Sequence, residues 1–459
     1  MASGTYFRPR MAATLTVPIL GTRAQRINQE ASTEAINLVV RPKRIQIESN
    51  DHNHADSATL VADWTEVGVD PRMLDNAVVQ IFIDNADDRG NVVWSRENCR
   101  FIGLAKDVSA DRDGESAAEV NFDCVDYTSL FLRAKPFGSS GIPKYSQSLD
   151  EAWRTIVSQT PGAGVLADRL VLQGIESFPS LGKAVSERFA KLAFVPTHPE
   201  TDAWAVWQQC VGMCGLLSYI KGDQCIVTTA TNYYSEGDSP VLIWGKNIQR
   251  WGETRHSEIS RKGIGITSYD PLTQTTLDAY WPPIGDESVK AKRYTGKKKL
   301  STEQIRAREE RDMFPFAGIT QLEALIDVAK RVYEERSRQE LEGHVSTAEM
   351  DIETESASNF DLLNLAAGDS VKVMVDPKER QLLANLPTEG AQLRYLTTRG
   401  YSEDAAKLIV ANMQDFGELE SKFLTKSVTT EMQVDDEDGT FAVSFDYINR
   451  IEIDGSATA

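Results

Sequence analysis

Six consecutive residues, Asp51-His52-Asn53-His54-Ala55-Asp56, carry two imidazoles and two carboxylates that could ligate a divalent ion. A metal site also needs its ligands preset in geometry, and the favoured reading of this run is a polar loop between two strands. Cys210 and Cys214 stand one helical turn apart with Cys225 nearby, and three thiolates could begin a zinc site. No fourth ligand accompanies them, and free cysteines pack as small hydrophobes. Asp435-Asp-Glu-Asp-Gly439 is acidic enough to suggest calcium but lacks the alternating carboxylates and distal glutamate of a calcium loop, so it reads as a solvated hairpin tip. Lys297-Lys-Lys299 could meet an acidic neighbour or a lipid head group, with a solvated loop as the default. Trp204, Trp207 and Tyr219 could stack on sugar rings, yet the helical spacing of the two tryptophans favours core packing. G-x-S-x-G, P-loop, HExxH and Rossmann glycine patterns are absent. The residues therefore predict no catalytic, cofactor or metal site and no enzyme.

The elements that would position these residues are clearest around Asp202–Thr228. Trp204, Trp207, Val211 and Cys214 recur at helical spacing, and Val206, Cys210, Met213 and Leu217 form a second stripe. A helix apolar on two stripes is buried on most of its surface. Asp202 is placed to cap it and Gly215 to end it. Leu216–Ile220 and Cys225–Thr228 then read as strands joined at Gly222-Asp223, with glycine first as a type II′ turn prefers.

From Pro42 to about Arg133 short β-type runs alternate with polar turns, the pattern of a small barrel or sandwich. Residues 1–35 are weakly patterned and read as an arm or floppy terminus. Ser148-Leu-Asp-Glu151 is a capping box opening a helix. Lys183–Ala193 fits a helix or an extended segment equally. Val241–Trp244, Gly263–Tyr269 and Thr275–Trp281 read as strands. Asp286–Asp312, rich in Lys, Arg and Glu, reads as a surface loop or mobile insertion. Gly318–Glu340 is amphipathic and helical, Val345–Ile352 and Ser370–Val375 are strand-like, and Pro377–Phe423 is helical. Near the end, Phe441, Val443, Phe445, Tyr447, Ile451 and Ile453 share one parity, broken by the inverted pair Ile448-Asn449. Val428, Thr430, Met432 and Val434 alternate just upstream, so the two runs predict a half-buried hairpin.

The 459 residues hold ample core for two to four domains, and 41% apolar with 25% charged residues is ordinary for a soluble globular chain. The net charge of −19 argues against a general nucleic-acid binder, which must neutralise phosphates. Most of the acidity lies from Leu341 onward, where 23 Asp/Glu oppose 9 Lys/Arg. Five cysteines form no disulfide framework and fit synthesis in a reducing compartment. No apolar run approaches a membrane span, the N-terminal residues lack a signal-peptide core, and no internal repeat is evident.

The order of elements resembles the baseplate hub proteins of contractile-tailed phages, the late control protein D family. The residues behind the resemblance are Arg100-Phe-Ile-Gly-Leu-Ala-Lys-Asp107, Val120-Asn-Phe-Asp-Cys-Val-Asp-Tyr-Thr-Ser-Leu130, the helix–hairpin unit Ala203–Thr228, Ile243-Trp-Gly-Lys-Asn-Ile248 and Leu365-Ala-Ala-Gly-Asp-Ser-Val371. The family implies an α+β protein with two small tube-protein-like β-barrels, smaller α/β domains and, here, an unmatched helical insertion. The division implied is an arm at 1–35, a first barrel at 36–135 and an α/β domain with the helix–hairpin unit at 136–240. A second barrel follows at 241–376 with a charged loop and helix at 284–341, then the helical insertion at 377–424 and a hairpin at 425–459 completing that barrel. The resemblance also implies a homotrimeric ring that adapts a three-fold central spike to a six-fold tail tube around an ejection channel. Its implied partners are the spike, the tube or tube-initiator protein, baseplate wedge proteins and the tape measure protein. DNA would pass without specific binding, and no stable membrane insertion is implied. The implied place is the virion tail baseplate, assembled in the bacterial host cytoplasm. A hub of a tailocin or other contractile injection system would look the same. The rival readings are a glycan-binding adhesin module and an enzyme using His52 and His54.

Overall fold

The computed structural model describes residues 9–18, 35–70, 73–74, 76–85, 94–111, 118–136, 142–172, 195, 200–229, 233, 240–243, 248–255, 263–270, 274–283, 291–295, 302–316, 319–337, 341–351, 362–374, 386–399, 402–403, 406–407, 410, 422–434 and 439–449. The chain is α+β, dominated by one large sheet in which nearly all pairs are antiparallel. Across the sheet the strands run Ile248–Arg255, Leu341–Thr347, Gly439–Asn449, Lys422–Val434, Arg44–Ser49, Ser57–Asp63, Glu119–Asp126, Cys99–Asp111, Val78–Asn85, Pro9–Pro18 and Ala35–Val40. Ser370–Met374 adds to Lys422–Val434 and carries Val241–Ile243 in parallel, while Met350–Asp351 pairs with Gly439–Asn449.

Two strand sets, one from each end of the chain, meet edge to edge where Val428–Gln433 pairs with Ser49–Arg44. The first set must be strongly curved. Its seven strands would span about 29 Å if flat, at about 4.8 Å per step. Yet Val40 and Arg44, in its two outermost strands, are four residues apart and so at most about 14 Å from each other. Among the described residues no hydrogen-bonded pair closes either set into a barrel. One apolar core spans both sets, with Leu15, Ile45, Leu60 and Phe122 from the first and Phe441, Phe445 and Tyr447 from the second.

Residues 1–35 are not simply an arm. Pro9–Pro18 is an interior strand, held by Val78–Asn85 on one side and Ala35–Val40 on the other. Met11, Ala13, Leu15 and Val17 are buried in the core, an alternation with Thr14 and Thr16 that marks the strand in hindsight.

A second core gathers the helices Leu149–Gln159, Ala203–Met213 and Leu322–Ser337, the hairpin Leu217–Lys221/Gln224–Thr228 and a separate four-stranded sheet. That sheet has the order Ala291–Thr295, Thr275–Trp281, Ile264–Asp270, Asp312–Pro315. The segment expected inside a second barrel therefore packs elsewhere: Ile264, Ile266, Leu277, Ala279, Leu325, Val328 and Ala329 belong to the core of the helix–hairpin unit. Ser148 caps its helix in a full capping box, and Asp202 accepts from Ala205 N at 2.8 Å. Gly215 (φ 73°) and Gly222 (φ 62°) take the left-handed conformations that end the helix and turn the hairpin.

The charged stretch 286–312 is not one loop, since it contains the strand Ala291–Thr295 and the helix Thr302–Glu309. In the region 377–424, Glu389–Thr398 is a helix whose Leu396 packs with Ala406, Leu386 and Leu393 in a small core of its own, while Phe423 already belongs to the large sheet. Lys183–Ala193, Lys297–Lys299, Trp244–Asn247 and Asp435–Asp438 lie outside the described residues.

Candidate functional site

Residues directly opposite one another in an antiparallel pair share a face, so the register maps what the large sheet presents on its convex side. One row across five strands reads Asp107, Asp123, Thr59, Gln46, Glu431, Ala442 when the sixth strand is included. The next reads Ser109, Asn121, Val61, Arg44, Gln433, Thr440. Beyond it stand Asp111, Glu119 and Asp63, the last two bridged by Lys43 Nζ at 3.5 and 2.8 Å. On the other side of the first row, Glu48 lies among Ser57, Thr429, Ser444 and Ser346, followed by Asp446 beside Ser427 and His344. Asp107, Asp111, Asp123, Glu48, Glu431 and Asp446 are all exposed. Strand alternation thus places an open, carboxylate-rich surface on both strand sets at once.

The same face changes character toward the strand ends that meet the second core. Ile102 and Leu104 pack into that core instead of facing solvent. Ile448 is buried although it sits on the polar parity, which explains the inverted pair in the last strand. It lines a cavity of about 90 Å³ together with Asp51, His52, Tyr233, Glu335 and Lys426.

The His52–His54 run reaches this border, but its ligand candidates turn apart. His54 Nδ1 lies 2.6 Å from Asp51 Oδ1 at the surface. His52 stands edge-on to Tyr233, its ring centroid 5.6 Å away, and burial pushes its pKa down. Asp56 accepts from Asn50 N at 2.7 Å. Among the described residues no group of three or more His, Cys, Asp or Glu side chains could hold a metal ion.

The other candidates are packing residues. Trp204 and Trp207 are buried, and Trp207 Nε1 donates to the buried Ser218 Oγ at 2.9 Å. Cys210, Cys214 and Cys225 are buried free thiols; burial raises all three, Cys214 and Cys225 to about 12. Asp223, at the hairpin turn, accepts from Arg96 Nη2 at 2.6 Å and also pairs with Arg169, tying the hairpin tip to the sheet.

Two buried acidic residues were given no site role by the sequence, although Asp126 lies within the Val120–Leu130 motif. Asp278 is fully buried and is held by Arg308, whose Nε and Nη2 donate to its two oxygens at 3.0 Å each. Thr267 Oγ1 and Tyr280 Oη also donate to it, at 2.8 and 3.0 Å. Asp126, 5% exposed, accepts from Thr128 N and Thr128 Oγ1 at 3.0 and 2.9 Å. Burial pushes its carboxyl up to about 7. An acidic residue within an alternating apolar segment was the available signal in each case; Thr128 and Tyr280 stand two residues away, but the cation on Asp278, Arg308, is thirty residues distant.

No family model matches the chain, and no curated protein matches it. Among solved structures it is similar to the tail protein from Neisseria meningitidis MC58, with 12% identity and a TM-score of 0.49 over 96% of this chain and 97% of that one. It is also similar to the 43 kDa tail protein of prophage MuSo2 from Shewanella oneidensis, with 12% identity and a TM-score of 0.47 over 95% and 98%. A third likeness is to the E. coli c3393 protein, a type VI secretion system component described as similar to T4 phage tail proteins, with 9% identity and a TM-score of 0.44 over 90% and 74%.

Proposed function

We propose that the chain is the structural hub of a contractile tail and works by geometry without catalysing a reaction. Each strand set is read as a tube-protein-like β-barrel unit. The observation that carries the reading is the edge-to-edge joint between Arg44–Ser49 and Lys422–Val434, which makes one chain supply two such units in a single sheet. Three chains then supply six, the number needed to seat a six-fold tube on a three-fold spike. The sequence motifs that resemble baseplate hubs lie on both sets and on the helix–hairpin unit between them.

In this reading the open carboxylate face lines the ejection channel. A wall mainly of the same sign as DNA repels it weakly along its length, and its cations Lys43 and Arg44 are outnumbered by the carboxylates around them, so the duplex slides. The second core, covering the other end of that face, is left to meet the spike and the wedge proteins. The tube or tube-initiator protein and the tape measure protein complete the contacts of the ring, in a virion tail baseplate assembled in the host cytoplasm.

Light scattering across a concentration series tests the reading. The expected outcome is a trimer, or a monomer that becomes a trimer when a candidate spike protein is added. A monomer at every concentration, indifferent to spike and tube proteins, would overturn it.

A further inference from the structure

The strands Ser57–Asp63 and Glu119–Asp126 pair with Ser57 opposite Val125, and Asp126 N donates to Asp56 O at 3.0 Å. One step further along the same register, Asp56 and Asp126 therefore stand directly opposite each other. Opposed side chains of this kind have Cβ atoms about 5 Å apart, and like charges there repel. Neither carboxylate forms an ion pair among the described residues. Asp126 is buried; Asp56 is half-buried as a residue, with its carboxyl turned inward and desolvated. The charged groups facing Asp56 are Asp126 on the neighbouring strand, Lys221 on the hairpin of the second core and Glu48 on the adjoining strand. Lys221 favours the ionised form, while Glu48 and Asp126 oppose it.

The position is a joint. Glu119–Asp126 runs straight into the helix Thr128–Arg133, whose first residue is held by the Asp126 carboxylate. Just past that helix, Ala134 O accepts from Ala203 N at 2.8 Å, the first residue of the central helix. On the opposite strand, Asp56 closes the loop 50–56 through Asn50 N, and Asn50 Nδ2 donates to Ala55 O. Two carboxylates in one buried site cannot both ionise cheaply, whereas a protonated one can donate to its neighbour.

We propose that Asp56 and Asp126 share one proton, and that releasing this proton to solvent loosens the joint between the large sheet and the second core. Burial drives both carboxyls upward, so the folded chain holds protons that the unfolded chain has lost. Stability then falls as pH rises. The folded fraction keeps this contribution at acidic pH and loses it as pH climbs through the folded-state range near 7.

Infrared spectra and amide hydrogen exchange of the full chain test this between pH 5.5 and 8.5. The wild type is expected to show a protonated carboxyl C=O stretch at pH 5.5 that is lost by pH 8.5. Exchange at residues 50–56 and 126–134, corrected for the intrinsic pH effect, should speed up with pH by up to about tenfold per unit below the transition and level off above it. Asp126→Asn keeps an acceptor for Thr128 but removes the like-charged neighbour, and should abolish the pH-dependent rise in exchange at the joint; Asp56→Asn is the second variant should the first fail to fold. No protonated carboxyl in the folded wild type at pH 5.5, or an unchanged exchange profile in a folded variant, would overturn the proposal.

Discussion

Asp278 and the Asp56–Asp126 pair face one difficulty, a carboxylate taken out of water, in two parts of the molecule. In the four-stranded sheet, Asp278 is met by the guanidinium of Arg308 and by two hydroxyls, so its charge is balanced and its oxygens are bonded. At the sheet–core joint, Asp126 receives an amide and a hydroxyl but, among the described residues, no ion-pairing cation, and its neighbour is another acid. The open face offers a third case, where Lys43 stands between Asp63 and Glu119 in partial contact with solvent. Burial without a cation makes a titratable site, burial with one makes a fixed strut, and exposure makes either nearly irrelevant to stability.

Four measurements would break or sharpen this contrast. Arg308→Ala strands the Asp278 charge and should cost about 3–5 kcal/mol in chemical denaturation, with part recovered by adding Asp278→Asn. A loss under about 1 kcal/mol would mean that Asp278 is not a charged strut. The wild type should lose about 2 kcal/mol between pH 5.5 and 8.5 through the proton on Asp126, and Asp126→Asn should flatten that slope. Ser148→Ala, which removes a cap on a helix of the second core and touches no buried acid, should cost about 1 kcal/mol at every pH. Lys43→Ala should change stability by less than about 1 kcal/mol and by less still in high salt. A larger effect would show that the open face is structurally coupled in a way its exposure does not suggest.

Local signals carried part of this into the sequence. The capping box at Ser148, the Asp202 cap and the alternation through Phe441–Tyr447 were readable because each is set within about ten residues. The strand Pro9–Pro18 had its alternation too, but small residues such as Ala12 and Ala13 diluted the contrast between its faces. The strand Ala291–Thr295 was hidden for another reason. It has no strong apolar pattern, and its place comes from backbone pairing with Thr275–Ala279. Asp56 and Asp126 are seventy residues apart in number, and only the strand register sets one against the other. The carboxylate face is of the same kind: its members are unremarkable one by one and become a surface when six strands align.

The joint between Arg44–Ser49 and Lys422–Val434 bears on the making of the chain as much as on its shape. A ribosome delivers the first strand set long before its edge partner, Lys422–Val434. The helices and the small sheet of the second core emerge in between and can pack on their own contacts. Throughout that interval Arg44–Ser49 waits with one backbone edge unsatisfied, open to any extended segment that drifts past. Long-range pairing of this kind folds slowly. A chain halted before Lys422 would keep that edge bare, and its first fault would be sticking to its neighbours.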